Sequence, residues 1–215
     1  MRVDFNVPMS GGEISDDSRI RSVLESIEYV LGKGGRLILA SHMGRPRGQS
    51  SPGLSLGPVA LRLGELLGRP VRFAHDCVGP EVEAIVERVE EGAVLLLENL
   101  RFHPEEETNE SEFAAGLAAL CEVYVNDAFG AAHRAHASTV GIVSHLERAA
   151  AGFLMGRELE ALGRALDEPV HPYTSVIGGA KISGKIELIE NFLDIADDIL
   201  IGGAMAYTFL RAQGV

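Results

Sequence analysis

Hydrophobic positions along this chain switch repeatedly between the unbroken or alternating runs of strands and the three-to-four spacing of helices. Residues 2–7, RVDFNV, read as an opening strand and its exit. Ile20, Val23, Leu24, Ile27, Val30 and Leu31 follow helical spacing, with Ser15 or Asp16 as a cap and Gly32 as a stop. A buried strand is predicted over 36–41, then a loop rich in glycine and proline over 44–58, a helix through Leu67, a strand over 71–74, a helix over 80–91 and a strand over 93–97. Asn109 and Glu112 have capping-box spacing ahead of a helix ending near Cys121, and Val123–Val125 is the next strand. Repeated strand–helix–strand units predict the α/β class, a parallel sheet covered on both faces in three αβα layers.

Met155, Leu159, Leu162 and Leu166 mark one face of a longer helix that reads as a connector. After Pro172 the pattern restarts with a strand over 174–177, a helix from about 182 to 196, a strand over 198–201 and one more helix opened by Gly202 and Gly203. Two strands cannot enclose a core of ordinary domain size. The expected organisation is therefore a first domain over 1–150, a connector helix over 151–170 and an incomplete second αβα domain over 171–215, as in a fragment of a longer protein.

Composition narrows the function. No apolar run is long enough to span a bilayer, and Met1 leads straight into a strand, so a soluble cytoplasmic protein is expected. Cys77 and Cys121 stand far apart and outside any C-x-x-C pair, which predicts reduced, structural thiols. A net charge of -12 argues against nucleic-acid and anionic-membrane partners, because both need an excess of Lys and Arg. An anionic ligand would need a local basic cluster.

The segment 125–136, VNDAFGAAHRAH, places cationic groups after an apolar strand, and three readings compete for it. His133 and His136 could bind a metal, although carboxylate or thiolate partners at ligand spacing are missing. The segment could be a solvated loop over Phe129. Or Arg134 could clamp a phosphate or carboxylate with its paired donors. Arg19, the turn 41–46 (SHMGRP) and the turn 98–103 (ENLRFH) also lie at strand exits or helix starts. In an open parallel sheet these gather at the carboxyl edge, which points to a small polyanion site. Asp4 and Asn6 leave the first strand there. They could accept a hydrogen bond from a substrate hydroxyl, and Asp4 could equally aim one of the arginines. His42 could donate to the anion or cap a turn. Glu105, Glu106 and Glu107 read as a solvated loop.

A second candidate is Gly178–Ile186, GGAKISGKI, after a strand and before a helix. Gly179, Gly184 and Lys185 have the spacing of a P-loop, but Ile186 stands where a hydroxyl would ligate magnesium, which disfavours a P-loop NTPase. Phosphate binding by backbone N–H groups at a helix start survives that objection. Lys181 and Lys185, one helical turn apart, are expected on one side.

Together the stretches RVDFNVP, SHMGRP, DCVGPEVE, LLLENLRFH, YVNDAFGAAHRAH, AGFLMGREL, IGGAKISGKI and IGGAMAYTFL resemble the phosphoglycerate kinase family, in family order, from Met1 almost to Val215. The resemblance implies reversible phosphoryl transfer between 1,3-bisphosphoglycerate and ADP, giving 3-phosphoglycerate and ATP, by a monomer. It implies substrate contacts from Asp4, Phe5, Asn6, Arg19, His42, Met43, Gly44, Arg45, Arg101 and Arg134. Nucleotide contacts fall to Gly179, Ala180, Lys181 and Lys185, and the catalytic cations are Arg19, Lys181 and Lys185. No metal ligand is expected within these residues: the magnesium of ATP or ADP would be held by an aspartate beyond Val215, along with an adenosine pocket. A chain lacking those parts could bind 3-phosphoglycerate without turnover.

Overall fold

Leu37, Leu39, Val94 and Leu96 pack into one hydrophobic cluster, while Leu95 and Leu97 belong to another that Ile38 and Ala40 also touch. Such alternation is what strands buried on both faces require, and it makes their sheet the middle of three layers. The computed structural model describes residues 1–215. They divide into two units, Met1–Glu158 and Leu159–Val215. The division falls inside the helix expected as a connector.

A hairpin of β1 (Met9–Ser10) and β2 (Glu13–Ile14) precedes α1 (Ser18–Ser22) and α2 (Leu24–Gly32). The single helix expected here is broken at Val23, whose φ of −106° and ψ of 0° close α1 and open α2. The strand β3 (Leu37–Leu39), α3 (Gly57–Leu67), β4 (Val71–Phe73), α4 (Pro80–Val86) and β5 (Val94–Leu96) follow. β5 lies between β3 and β4, parallel to both. Ile20, Ile27, Val59 and Leu63 of α1, α2 and α3 cover one face, and Val82 of α4 covers the other. Helix α4 is shorter than expected, because Arg88 and Val89 bond three residues back and tighten its end.

The acidic run is not a loop. It forms α5 (Pro104–Thr108), and Glu106 is fully buried. Nor does Asn109 head a capping box: it ends α5 in the left-handed region, φ 56°, and Glu110 caps α6 (Ser111–Ala118) by accepting from Phe113 N at 2.7 Å. Then come β6 (Tyr124–Asn126), α7 (Phe129–Ala132), β7 (Ala149–Ala151), parallel to β6, and α8 (Phe153–Asp167). The opening segment is strand-like only at Arg2, which bridges both Ala40 and Asn126 in parallel register. Arg2 N donates to Val125 O at 2.7 Å and Val3 N to Ala40 O at 3.0 Å, which seats the segment between β3 and β6.

In the second unit β8 (Thr174–Gly178) and β9 (Asp198–Gly202) pair in parallel, with α9 (Ile186–Leu193) between them in sequence and α10 (Ala206–Ala212) after them. Its buried apolar residues are Ile177, Ile189 and Met205. No helix of the chain is long and apolar enough to cross a membrane.

Candidate functional site

Parallel strands release their chain at the same edge of the sheet, so the loops after Val3, β3, β5 and β6 meet there. They enclose a cleft of about 250 Å³ lined by Asp4, Asn6, Arg19, His42, Gly44, Arg45, Arg101 and Arg134, with Gly130, Ala131 and His133 completing the wall. The basic residues that sequence spacing scattered over more than a hundred positions share one cavity.

Arg19 and Arg101 are aimed by specific partners. Asp4 Oδ2 accepts from Arg19 Nη1 at 2.7 Å and Asp4 Oδ1 from Asn6 N at 3.2 Å, so this carboxylate positions an arginine. Asn6 Oδ1 accepts from Gly44 N at 2.8 Å and fixes the His42–Arg45 turn. Asn99 ties that turn to the next: its Oδ1 accepts from Met43 N and Arg101 N, both at 3.1 Å, and its Nδ2 donates to Met43 O at 2.8 Å. Arg101 Nη1 donates to Gly44 O at 2.9 Å. Arg101 Nε lies 3.3 Å from Glu107 Oε1 but makes no hydrogen bond, so charge alone joins them. Arg45 and Arg134 are exposed at the mouth.

Phe5 and Met43, expected as substrate contacts, are buried residues next to the cleft. Their side chains are 0% and 2% exposed in the core. Their backbone N–H groups are spent on Ser41 Oγ and Asn99 Oδ1. These bonds tie the exit of the opening segment to the turn after β3, and that turn to Asn99.

Beneath the cleft runs a buried network that sequence reasoning missed. Arg2, 1% exposed, donates from Nε to Ser138 Oγ at 2.9 Å and from its backbone-facing Nη1 to Val3 O. Glu106 accepts from Ser138 Oγ at 2.6 Å and from Ser138 N at 2.9 Å, which places a carboxylate one hydroxyl away from the buried guanidinium. Burial pushes the Arg2 guanidinium below its usual range, and Glu106 is the largest opposing influence. Arg2 Nη2 is 3.0 Å from His42 Nδ1. Guanidinium can only donate, so Nδ1 accepts and the His42 proton sits on Nε2. Burial, reinforced by Arg2, lowers the His42 pKa to about 2. His42 therefore serves the cleft as a neutral hydrogen-bond donor, not as a cation. The clue in the sequence was Arg2 itself, a cation at the start of a predicted strand, which demands an anion once that strand is buried.

His133 and His136 part company. His133 is exposed on the cleft wall, while His136 is buried with Nδ1 3.8 Å from Glu106 Oε1. Burial also lowers the His136 pKa, against the pull of Glu106.

In the second unit, α9 opens at Ile186, later than expected, so Lys181 lies in the turn before the helix and Lys185 at its cap. Lys185 Nζ folds back to donate to Gly178 O. A Cβ on Gly179 (φ 146°) would stand 2.6 Å from that ammonium, and one on Gly203 (φ 69°) would stand 2.8 Å from Gly179 O. The two glycine turns after β8 and β9 approach backbone to backbone, which a side chain would prevent. Gly179, Ala180 and Lys181 are exposed beside them.

The family model described as phosphoglycerate kinase matches residues 1–215. Among curated relatives, the phosphoglycerate kinase of Chlorobium luteolum is 57% identical over 216 residues, covering 100% of this chain and 54% of the relative. That of Gloeobacter violaceus is 59% identical over 216 residues, covering 100% of this chain and 53% of the relative. The chain thus spans about half the length of the curated relatives it matches. Of solved structures, phosphoglycerate kinase from Coxiella burnetii aligns with a TM-score of 0.87 at 42% identity, over 99% of this chain and 53% of that one. Phosphoglycerate kinase from Pyrococcus horikoshii aligns with a TM-score of 0.88 at 35% identity, over 100% and 54%.

Proposed function

Because the chain belongs to the phosphoglycerate kinase family, we propose that its first unit binds 3-phosphoglycerate or 1,3-bisphosphoglycerate, and that its second supplies phosphate contacts for ATP or ADP, in the reversible phosphoryl transfer between them. The observation that carries this reading is the single cleft that gathers Arg19, His42, Arg45, Arg101 and Arg134 in a chain whose net charge is -12. Arginine forks match phosphate and carboxylate oxygens, and both anions belong to 3-phosphoglycerate. His42 Nε2–H and the Asp4–Asn6 pair add a neutral donor and acceptors suited to its hydroxyl.

Transfer of this kind needs no covalent intermediate, since the attacking carboxylate is already ionised. The protein contributes position and charge neutralisation. Arg19, with a side chain 49% exposed beside Asp4, is the cation assigned to the reacting end in the first unit. Lys181 and Lys185, with the amides of Gly179 and Ala180, are assigned to nucleotide phosphates. These donors suit phosphate oxygens and do not suit a dication, so no step is assigned here to magnesium. A cytoplasmic monomer with free Cys77 and Cys121 completes the reading.

Calorimetry of the 215-residue chain with 3-phosphoglycerate tests it. Saturable binding is expected, and Arg134→Ala should weaken it about tenfold or more, the loss of a charge-assisted contact, with an unchanged circular dichroism spectrum. Unchanged affinity in the folded variant would remove Arg134 from the site. A coupled assay for ATP formation separates turnover from binding alone.

A further inference from the structure

Away from the anion cleft, the first unit brings a thiol, an imidazole and a carboxylate together beyond the carboxyl end of β4. Asp76 and Cys77 follow that strand, and His103 closes the turn Leu100–Phe102. His103 Nε2 lies 2.6 Å from Asp76 Oδ1, and one ligand atom from each of Asp76, Cys77 and His103 falls within 4.8 Å of the others.

We propose that Asp76, Cys77 and His103 form a binding site for a divalent transition-metal ion, zinc above all, with water in the fourth position. The donor set argues for that class: thiolate and imidazole select borderline-soft ions, and magnesium or calcium would demand oxygen. Metal bonds of about 2.0 to 2.3 Å put tetrahedral ligands roughly 3.3 to 3.7 Å apart, a span inside the 4.8 Å that encloses the three groups, so Asp76 and His103, now 2.6 Å apart, part by roughly 1 Å as the ion enters.

The site is held in place before any ion arrives. Cys77 N donates to Asp76 Oδ1 at 2.7 Å, and Glu98 N to Asp76 O at 3.3 Å, which sets the turn. The His103 ring packs against Phe113, centroids 5.2 Å apart. Cys77 is fully buried among Leu95, Leu97 and Leu100, so the sulfur forms the floor, while Asp76 and His103, with side chains 53% and 30% exposed, leave an entry path. Binding releases the thiol proton, forms the sulfur–metal bond and replaces the His103 to Asp76 hydrogen bond. The bound ion joins the turn after β4 to the turn that carries Arg101.

The test uses the whole 215-residue chain after treatment with a chelator. Titration with cobalt(II) should give thiolate-to-cobalt charge-transfer absorption that saturates at one equivalent and disappears on adding zinc. Cys77→Ser should abolish that band, Cys121→Ser should keep it, and the exposed change Asp76→Asn should weaken binding about tenfold or more. His103→Ala repeats the test without touching the buried floor. Absence of the band in folded protein overturns the site, as does a band that survives Cys77→Ser or is unaffected by both Asp76→Asn and His103→Ala.

Discussion

His42 illustrates how a single residue changes meaning between sequence and structure. Its place in SHMGRP suggests either a donor to an anion or a turn cap, and the structure adds that Arg2 Nη2 at 3.0 Å occupies its Nδ1 while burial disfavours a second proton. With the pKa at about 2 in the fold against 6.5 unfolded, the unfolded chain binds the extra proton between those values. The stabilisation is complete above the unfolded value and is lost as pH falls, by up to about 1.4 kcal/mol per pH unit for this group. His42→Gln should therefore flatten the fall in unfolding free energy on acidification below 6.5. Urea unfolding at a series of pH values measures it, and a slope identical to that of the parent chain would mean that His42 is not held neutral. Glu106 makes the complementary point: one of three consecutive acids, it is the one that lies buried under Arg2, and no local feature separates it from Glu105 and Glu107.

At the scale of elements, βαβ periodicity was legible because central strands bury both faces and helices bury one. Element ends were less so. The break at Val23 and the late start of α9 at Ile186 depend on what the flanking turns pack against, which spacing does not report. The opening of α7 shows how tightly an element can hold the site: a Cβ on Gly130 would stand 2.7 Å from Asp4 Oδ2, the oxygen that Arg19 holds. Gly130→Ala should displace that carboxylate, leave Arg19 without its support and weaken 3-phosphoglycerate binding about tenfold, the scale of one charge-assisted contact. Calorimetry alongside circular dichroism checks this. Full affinity would indicate that Asp4 can swing aside without consequence.

Across the whole molecule, burial is uneven. The first unit has two clusters on opposite faces of its sheet, whereas the second buries Ile177, Ile189 and Met205 around a two-stranded sheet, and Val176 and Leu200 remain 75% and 56% exposed. Backbone amides of β8 and β9 should consequently exchange with deuterium well before those of β3 and β5, because local opening there exposes little apolar surface. Equal protection in both units would contradict this. Family membership, the αβα layering and the list of cationic residues were determined by the sequence alone, since motif order and hydrophobic period are local properties of the chain. Only the tertiary structure decided that Phe5 and Met43 are buried next to the cleft, that Glu106 and Arg2 form a buried pair through Ser138, that His42 is neutral, and that Asp76, Cys77 and His103 meet. Those outcomes depend on burial and on partners distant in sequence, because the energy of a charge or a polar group is set by its surroundings in space.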